Sequence, residues 1–327
     1  MKFYKFVTTF SILVLTITAC APAATPAPPP TPITVQFAWT HQSVFAGFYA
    51  ADQQGFYAAE GLPVTFVEGG AKVDSMASVL DGIAQFGVTG ADQVLLARSE
   101  GKPVRAVATI YRRSPVVFIS LADSGITRPQ DFVGKTIRVA PNLVASLRSI
   151  TARVGISPEQ YTEVTLPSDL SAFATGEVPV WGCFIDGLAV SAQQAGVEIN
   201  IIYPDDYGIH FYGYTIFTTD DLIARNPDLV LRFLRATLKG WDYILENPEQ
   251  DGELVAVYNP KADVALENLR VNILLPLVST GEDHIGWMKP EIWSGMEKAL
   301  REQGVLTKSL EVTEVYTLQF LQEIYGR

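Results

Sequence analysis

The amino-acid sequence predicts an α/β protein of two lobes with a cleft between them, on three observations. Short β-branched and aromatic runs alternate with helical patterns of about a dozen residues, the mark of right-handed βαβ units and mostly parallel sheets. The series occurs twice, and two apolar runs, 116–121 and 213–218, read as strands that carry the chain across and back. At 327 residues, 48% hydrophobic and 18% charged, the chain is apolar enough for a sizeable core and too lightly charged for disorder.

The first residues read as an address. Lys2 and Lys5 precede an apolar run over 6–19 that is shorter than the roughly 20 residues a bilayer core requires, so 1–19 is expected to be a signal peptide. The run ends Leu15-Thr16-Ile17-Thr18-Ala19-Cys20, which resembles a bacterial lipobox. That resemblance implies a lipid on Cys20, which would begin the exported chain and hold it to the outer side of the cell membrane. Six prolines within 21–32 and no charge predict an extended tether over 20–32, roughly 35–40 Å long.

The body follows in order. Ile33, Val35, Phe37 and Trp39 recur at every second position, the period of a strand, and Phe45, Phe48, Tyr49 and Ala51 continue as a helix that stops near Gly55. The spacing then predicts strands over 63–67, 85–89 and 105–110, with helices over 73–83 and 91–100 between them. After the crossing at 116–121 come a strand at 135–140, a helix at 143–154 and strands at 163–166, 180–185 and 199–203. Beyond 213–218 the pattern turns helical, with Val230, Phe233, Leu234, Thr237, Trp241 and Ile244 on one face. Phe320, Leu321 and Ile324 read as packing on the first lobe. The expected division is 33–118 plus 220–327 for a discontinuous first lobe and 119–219 for the second.

Charge and residue counts exclude several classes of function. Lys+Arg 24 against Asp+Glu 35 gives a net charge of -11, which opposes any grip on nucleic acid or an anionic lipid surface. Two cysteines, Cys20 and Cys183, make no disulfide framework, and His41, His210 and His284 are too scattered for a transition-metal cluster. No metal or cofactor is expected, and Cys183, in an apolar stretch, reads as a buried inert thiol.

In open parallel sheets ligands sit beyond the carboxyl ends of the strands. Those ends carry Trp39-Thr40-His41-Gln42, Thr89-Gly90-Ala91-Asp92 and Tyr111-Arg112-Arg113 in the first lobe, and Asn142 and Asp186 in the second. Trp181, Tyr207 and Tyr212 lie close by in sequence, and with Phe45, Tyr203, Phe211 and Tyr214 they make a density of rings suited to a flat ligand. About half of these rings are expected to be core, Tyr203, Phe211 and Tyr214 among them. Asp92 fits a ligand contact and fits equally the first turn of a helix, where any carboxylate is favoured. Asn142 and Asp186 at a cleft lip would read the donor and acceptor edge of a heterocycle. The substrate-binding residues singled out are therefore Trp39, Asp92, Tyr111, Asn142, Trp181, Asp186 and Tyr207, with no catalytic residue.

Several stretches carry a resemblance to a known family. Gln36-Phe37-Ala38-Trp39-Thr40, Phe86-Gly87-Val88-Thr89-Gly90-Ala91-Asp92, Glu100-Gly101-Lys102-Pro103-Val104 and Gly134-Lys135-Thr136-Ile137 are similar to the SsuA/ThiY-like solute-binding proteins. So are Tyr207-Gly208, Tyr212-Gly213, Asn226-Pro227-Asp228-Leu229-Val230 and Gly240-Trp241, in register over 33–248. The resemblance implies a type II periplasmic-binding-protein fold that captures a small solute and hands it to an ABC permease with its ATPase. In the thiamine-pyrimidine branch an aromatic follows the first strand and acids line the cleft, and Trp39, Asp92 and Asp186 match those positions. The pyrimidine synthases of that branch carry a CCCFC motif that this chain lacks, so no enzyme activity is expected. The riboflavin-binding, RibY-type lipoproteins look most similar, with formylaminopyrimidine-binding proteins next, so riboflavin is the leading ligand and a thiamine precursor the alternative. The sulfonate, taurine and nitrate branches bind anions, for which Arg112, Arg113 and Arg148 would supply charge.

Overall fold

The computed structural model describes residues 30–70 and 72–327. The expected signal peptide and Cys20 lie outside them. The strands are β1 (Ile33–Phe37), β2 (Val64–Val67), β3 (Phe86–Gly90), β4 (Val104–Thr109), β5 (Val116–Leu121), β6 (Thr136–Arg138), β7 (Thr162–Val164), β8 (Val180–Phe184), β9 (Ile199–Ile202) and β10 (Tyr214–Thr219). They form two five-stranded sheets, in the orders β2-β1-β3-β10-β4 and β7-β6-β8-β5-β9.

Each sheet is parallel except for one strand, β10 in the first and β5 in the second. The two exceptions fix how the sheets face. The chain leaves β4 at its carboxyl end and enters β5 opposite the end of β8, Val116 pairing with Phe184. It leaves β9 at Ile202 and enters β10 opposite the end of β3, Tyr214 pairing with Gly90. A strand entered from the carboxyl edge must run against its neighbours, so both connections join one carboxyl edge to the other. The two edges therefore face each other, which is where ligands sit in parallel sheets.

The first expected boundary, 118/119, falls inside β5, and the second, 219/220, at the far end of β10. Residues 116–118 pair within the second sheet and 214–219 within the first, so the passages between sheets are 110–115 and 203–213. These passages are bonded to each other: the Gly213 amide donates to Tyr111 at 2.9 Å and Arg113 pairs with Asp205 at 2.6 Å and Asp206 at 3.0 Å. A Cβ at Gly213 would stand 2.8 Å from that of Tyr111, so only glycine allows this approach.

The first core is built by the predicted helical face. Val230, Phe233, Leu234, Thr237, Trp241 and Ile244 are all buried on the helix Pro227–Glu246, which packs on the helix Ala46–Gln53. Phe37, at the carboxyl end of β1, stacks on Phe45 at 3.9 Å, and Phe86, at the amino end of β3, stacks on Phe233 at 3.9 Å. Phe320 and Leu321 are buried against this lobe, in the helix Gln319–Tyr325. Phe118, Phe132, Ile137, Leu147 and Ile150 close the smaller core of the second. No helix among the described residues is long and apolar enough to cross a membrane.

Candidate binding cleft

Trp39 stands two residues beyond β1 and Asp92 in the first turn of the helix Ala91–Ser99 that follows β3. Because β1 and β3 are adjacent and parallel, both emerge on one edge. The Trp39 ring is 44% exposed, far more than any other tryptophan in a predicted site position. Asp92 is half-buried, its carboxylate lying over the Gly90 backbone and accepting from the Gln93 amide at 2.9 Å. Burial pushes this carboxyl above its usual range, opposed by those local hydrogen bonds.

Asp186 rises from the opposite edge, in a π turn over Ile185–Ala189 directly after β8. It is 6% exposed, and burial pushes its carboxyl up to about 6, against the pull of its own amide and of Arg270, while Glu267 pushes it higher. Its charge acts on Tyr111 and Tyr214, and its carbonyl accepts from Arg270 of the first lobe at 3.1 Å, so Asp186 faces the first lobe. Gly187 next to it has φ -98° and ψ -111°, outside the helical region, and space beyond its Cα is open. Asn142 is exposed at the same edge, in the turn Pro141–Leu143 after β6.

Three predicted contacts are placed elsewhere. Tyr111 is fully buried, its hydroxyl donating to the Val44 carbonyl at 3.1 Å and its ring edge-on to Trp241, because the start of the passage 110–115 lies against the first core. Trp181 is fully buried near the amino end of β8, where its indole N–H donates to the Val178 carbonyl at 2.8 Å and Arg138 covers its ring. Tyr207 packs partly on the second core, its carbonyl held by Arg153, and the charges acting on it are Asp206, Arg128 and Asp131 rather than those of the cleft. Of the nine rings near strand ends, Phe45, Tyr111, Trp181, Phe211 and Tyr212 are buried, about the half expected, but of the three named as core only Phe211 is among them, Tyr203 and Tyr214 being half-buried.

The arginines considered for an anion are engaged. Arg112 binds Asp283 at 3.1 Å, Arg113 binds Asp205, and Arg148 grips Glu163 through two bonds of 3.0 and 3.1 Å. Cys183 is buried with its thiol pushed up to about 12, so it holds no thiolate at neutral pH.

Sequence reasoning missed Ser43, Glu267 and Arg270. Glu267, on the helix Val264–Val278, is 3% exposed and accepts from the Ser43 amide at 2.8 Å and the Ser43 hydroxyl at 2.5 Å, which fixes the turn behind Trp39. Its other oxygen takes Arg270 at 2.5 Å, and Arg270 reaches across to the Asp186 carbonyl at 3.1 Å. The available signal was a glutamate and an arginine three residues apart in an otherwise strongly apolar helix.

Two sheets with facing carboxyl edges, one exposed indole and carboxylates on both sides define a bilobed solute-binding protein. The chain belongs to the NMT1/THI5 like family, whose model matches residues 42–251. It is 28% identical over 302 residues to the riboflavin-binding protein RibY of Chloroflexus aurantiacus, covering 88% of this chain and 86% of that one. It is 25% identical to the formylaminopyrimidine-binding protein of Halalkalibacterium halodurans, over 80% of this chain and 82% of the relative. A 4-amino-5-hydroxymethyl-2-methylpyrimidine phosphate synthase of Legionella pneumophila is 24% identical, over 89% and 92%. In fold, the periplasmic aliphatic sulphonate binding protein SsuA of Escherichia coli superposes with a TM-score of 0.71 at 14% identity, covering 87% of this chain and 91% of that one.

Proposed function

We propose that the protein captures a flat, uncharged heteroaromatic solute outside the cell membrane, riboflavin first among candidates, and delivers it to an ABC permease. The observation that carries this reading is the combination of a solvent-facing Trp39 ring with carboxylates at Asp92 and Asp186 on the facing edges. A ring face offers stacking worth about 0.5–1.5 kcal/mol beyond buried area, and carboxylates accept from N–H edges. Engagement of Arg112, Arg113 and Arg148 by acids disfavours a sulfonate or nitrate ligand. The likeness to RibY supports riboflavin as the first candidate. Formylaminopyrimidine is the second reading, because an exocyclic amine suits an acidic lip and a relative carries that name.

The protein acts by binding and not by turnover, with Cys20 bearing a lipid and 20–32 spacing the lobes from the membrane. Isothermal titration with riboflavin, formylaminopyrimidine and taurine tests the reading. Saturable heat with riboflavin is expected, heat with formylaminopyrimidine alone moves the assignment to the second reading, and heat with taurine alone or with none rejects both.

A further inference from the structure

The second sheet is joined to the first by the two passages, and the cleft between them is spanned by a bond that neither passage supplies. The turn at Ile185–Ala189 is broken at Gly187, and the Val190 amide takes the Gly187 carbonyl. The preceding Asp186 carbonyl receives the Nε–H of Arg270, 84 residues away on the other lobe, at 3.1 Å. Arg270 is itself aimed by Glu267 through a separate nitrogen, Nη1, and Glu267 holds the Ser43 amide and hydroxyl at the base of the Trp39 loop. One guanidinium thus links the loop bearing the exposed indole to the turn bearing the opposing carboxyl.

We propose that Arg270 is the latch of closure, a positioning residue whose bond to the Asp186 carbonyl forms when the lobes come together and sets the open-closed balance. A buried carboxylate at Glu267 needs a cation beside it in either state, so the pair with Glu267 is permanent and the reach to Asp186 is the variable contact. A ligand that favours closure draws on this bond, and a population shift is limited to the difference in free energy between the two forms. The inference rests on the solute-binding reading only for its effect on affinity.

The test needs no ligand. Spin labels on Ile83→Cys in the first lobe and Gln194→Cys in the second, both exposed positions, report the inter-lobe distance in the full chain. Cys20→Ala removes the other native thiol in every sample, and buried Cys183 stays unlabelled. Arg270→Met is expected to lengthen and broaden the distance distribution. Arg270→Lys keeps the charge beside Glu267 but replaces the two-nitrogen fork by one ammonium, and is expected to do the same with an unchanged melting temperature. If Arg270→Met fails to fold, the lysine variant decides. Distance distributions identical to the parent's in a folded variant overturn the latch, whatever the ligand proves to be. Where a ligand binds, the same variants are expected to weaken it by roughly fivefold or more.

Discussion

Asp186 and Asp251 are both carboxyls pushed toward neutrality by burial, with opposite consequences. Asp186 faces the other lobe, with its carboxyl at about 6. It is ionised above that value and offers its acceptor to a donor edge, so ligand affinity is expected to fall as pH drops from 7 to 5. Hydrogen bonds to charged groups contribute about 1.5–3 kcal/mol, so Asp186→Asn should weaken binding about tenfold or more at pH 8 and flatten the pH dependence. Calorimetry at the two pH values checks it, and a parent whose affinity ignores pH contradicts the role. Asp251 is fully buried, and burial pushes its carboxyl up to about 7, with Ser43 opposing the shift and the Glu267 charge adding to it. An unfolded aspartate releases its proton near 3.9, so between about pH 4 and 7 the folded state holds the extra proton. Stability from this group is therefore lost as pH rises through that window. Asp251→Asn removes the penalty: its melting temperature should exceed the parent's at pH 8 by more than at pH 5. A gain that does not depend on pH would assign the effect to packing.

At the scale of elements, the first lobe depends on a close helix crossing. A Cβ at Gly240 would collide with the Gly47 carbonyl, and the Trp241 ring occupies the place a side chain at Gly47 would take. Alanine gains about 1 kcal/mol of helix propensity over glycine, while overpacking a backbone contact costs typically 1–3 kcal/mol. The steric term wins, so Gly240→Ala should lower the melting temperature, and a rise would show that the helices separate freely. This crossing was legible in part: the 3.6-residue stripe from Val230 to Ile244 names the buried face, but the sequence does not say which backbone it meets. The direction of β5 and β10 was not legible either, because periodicity reports which face is buried and not which way a strand runs. Trp181 was misassigned for a different reason: the predicted strand over 180–185 already held it, and its place near the amino end of β8 keeps it away from the carboxyl edge.

For the whole molecule, the alternation of strands and helices and its repetition predicted two α/β lobes, and the sheets bear this out. Trp39, Asp92 and Asp186 were legible as residues beyond strand ends, and the structure stands them on the facing carboxyl edges. Glu267 and Arg270 were not, because they reach the cleft from a helix more than two hundred residues after β1, and only the return of the chain brings them there. Such an assembly predicts that a ligand touching both edges draws the lobes together. Small-angle scattering of the full chain, free and saturated with the solute that calorimetry identifies, tests this most directly. A smaller radius of gyration in the saturated sample is predicted; the same radius in both, with binding established, would contradict a clasp between two hinged lobes.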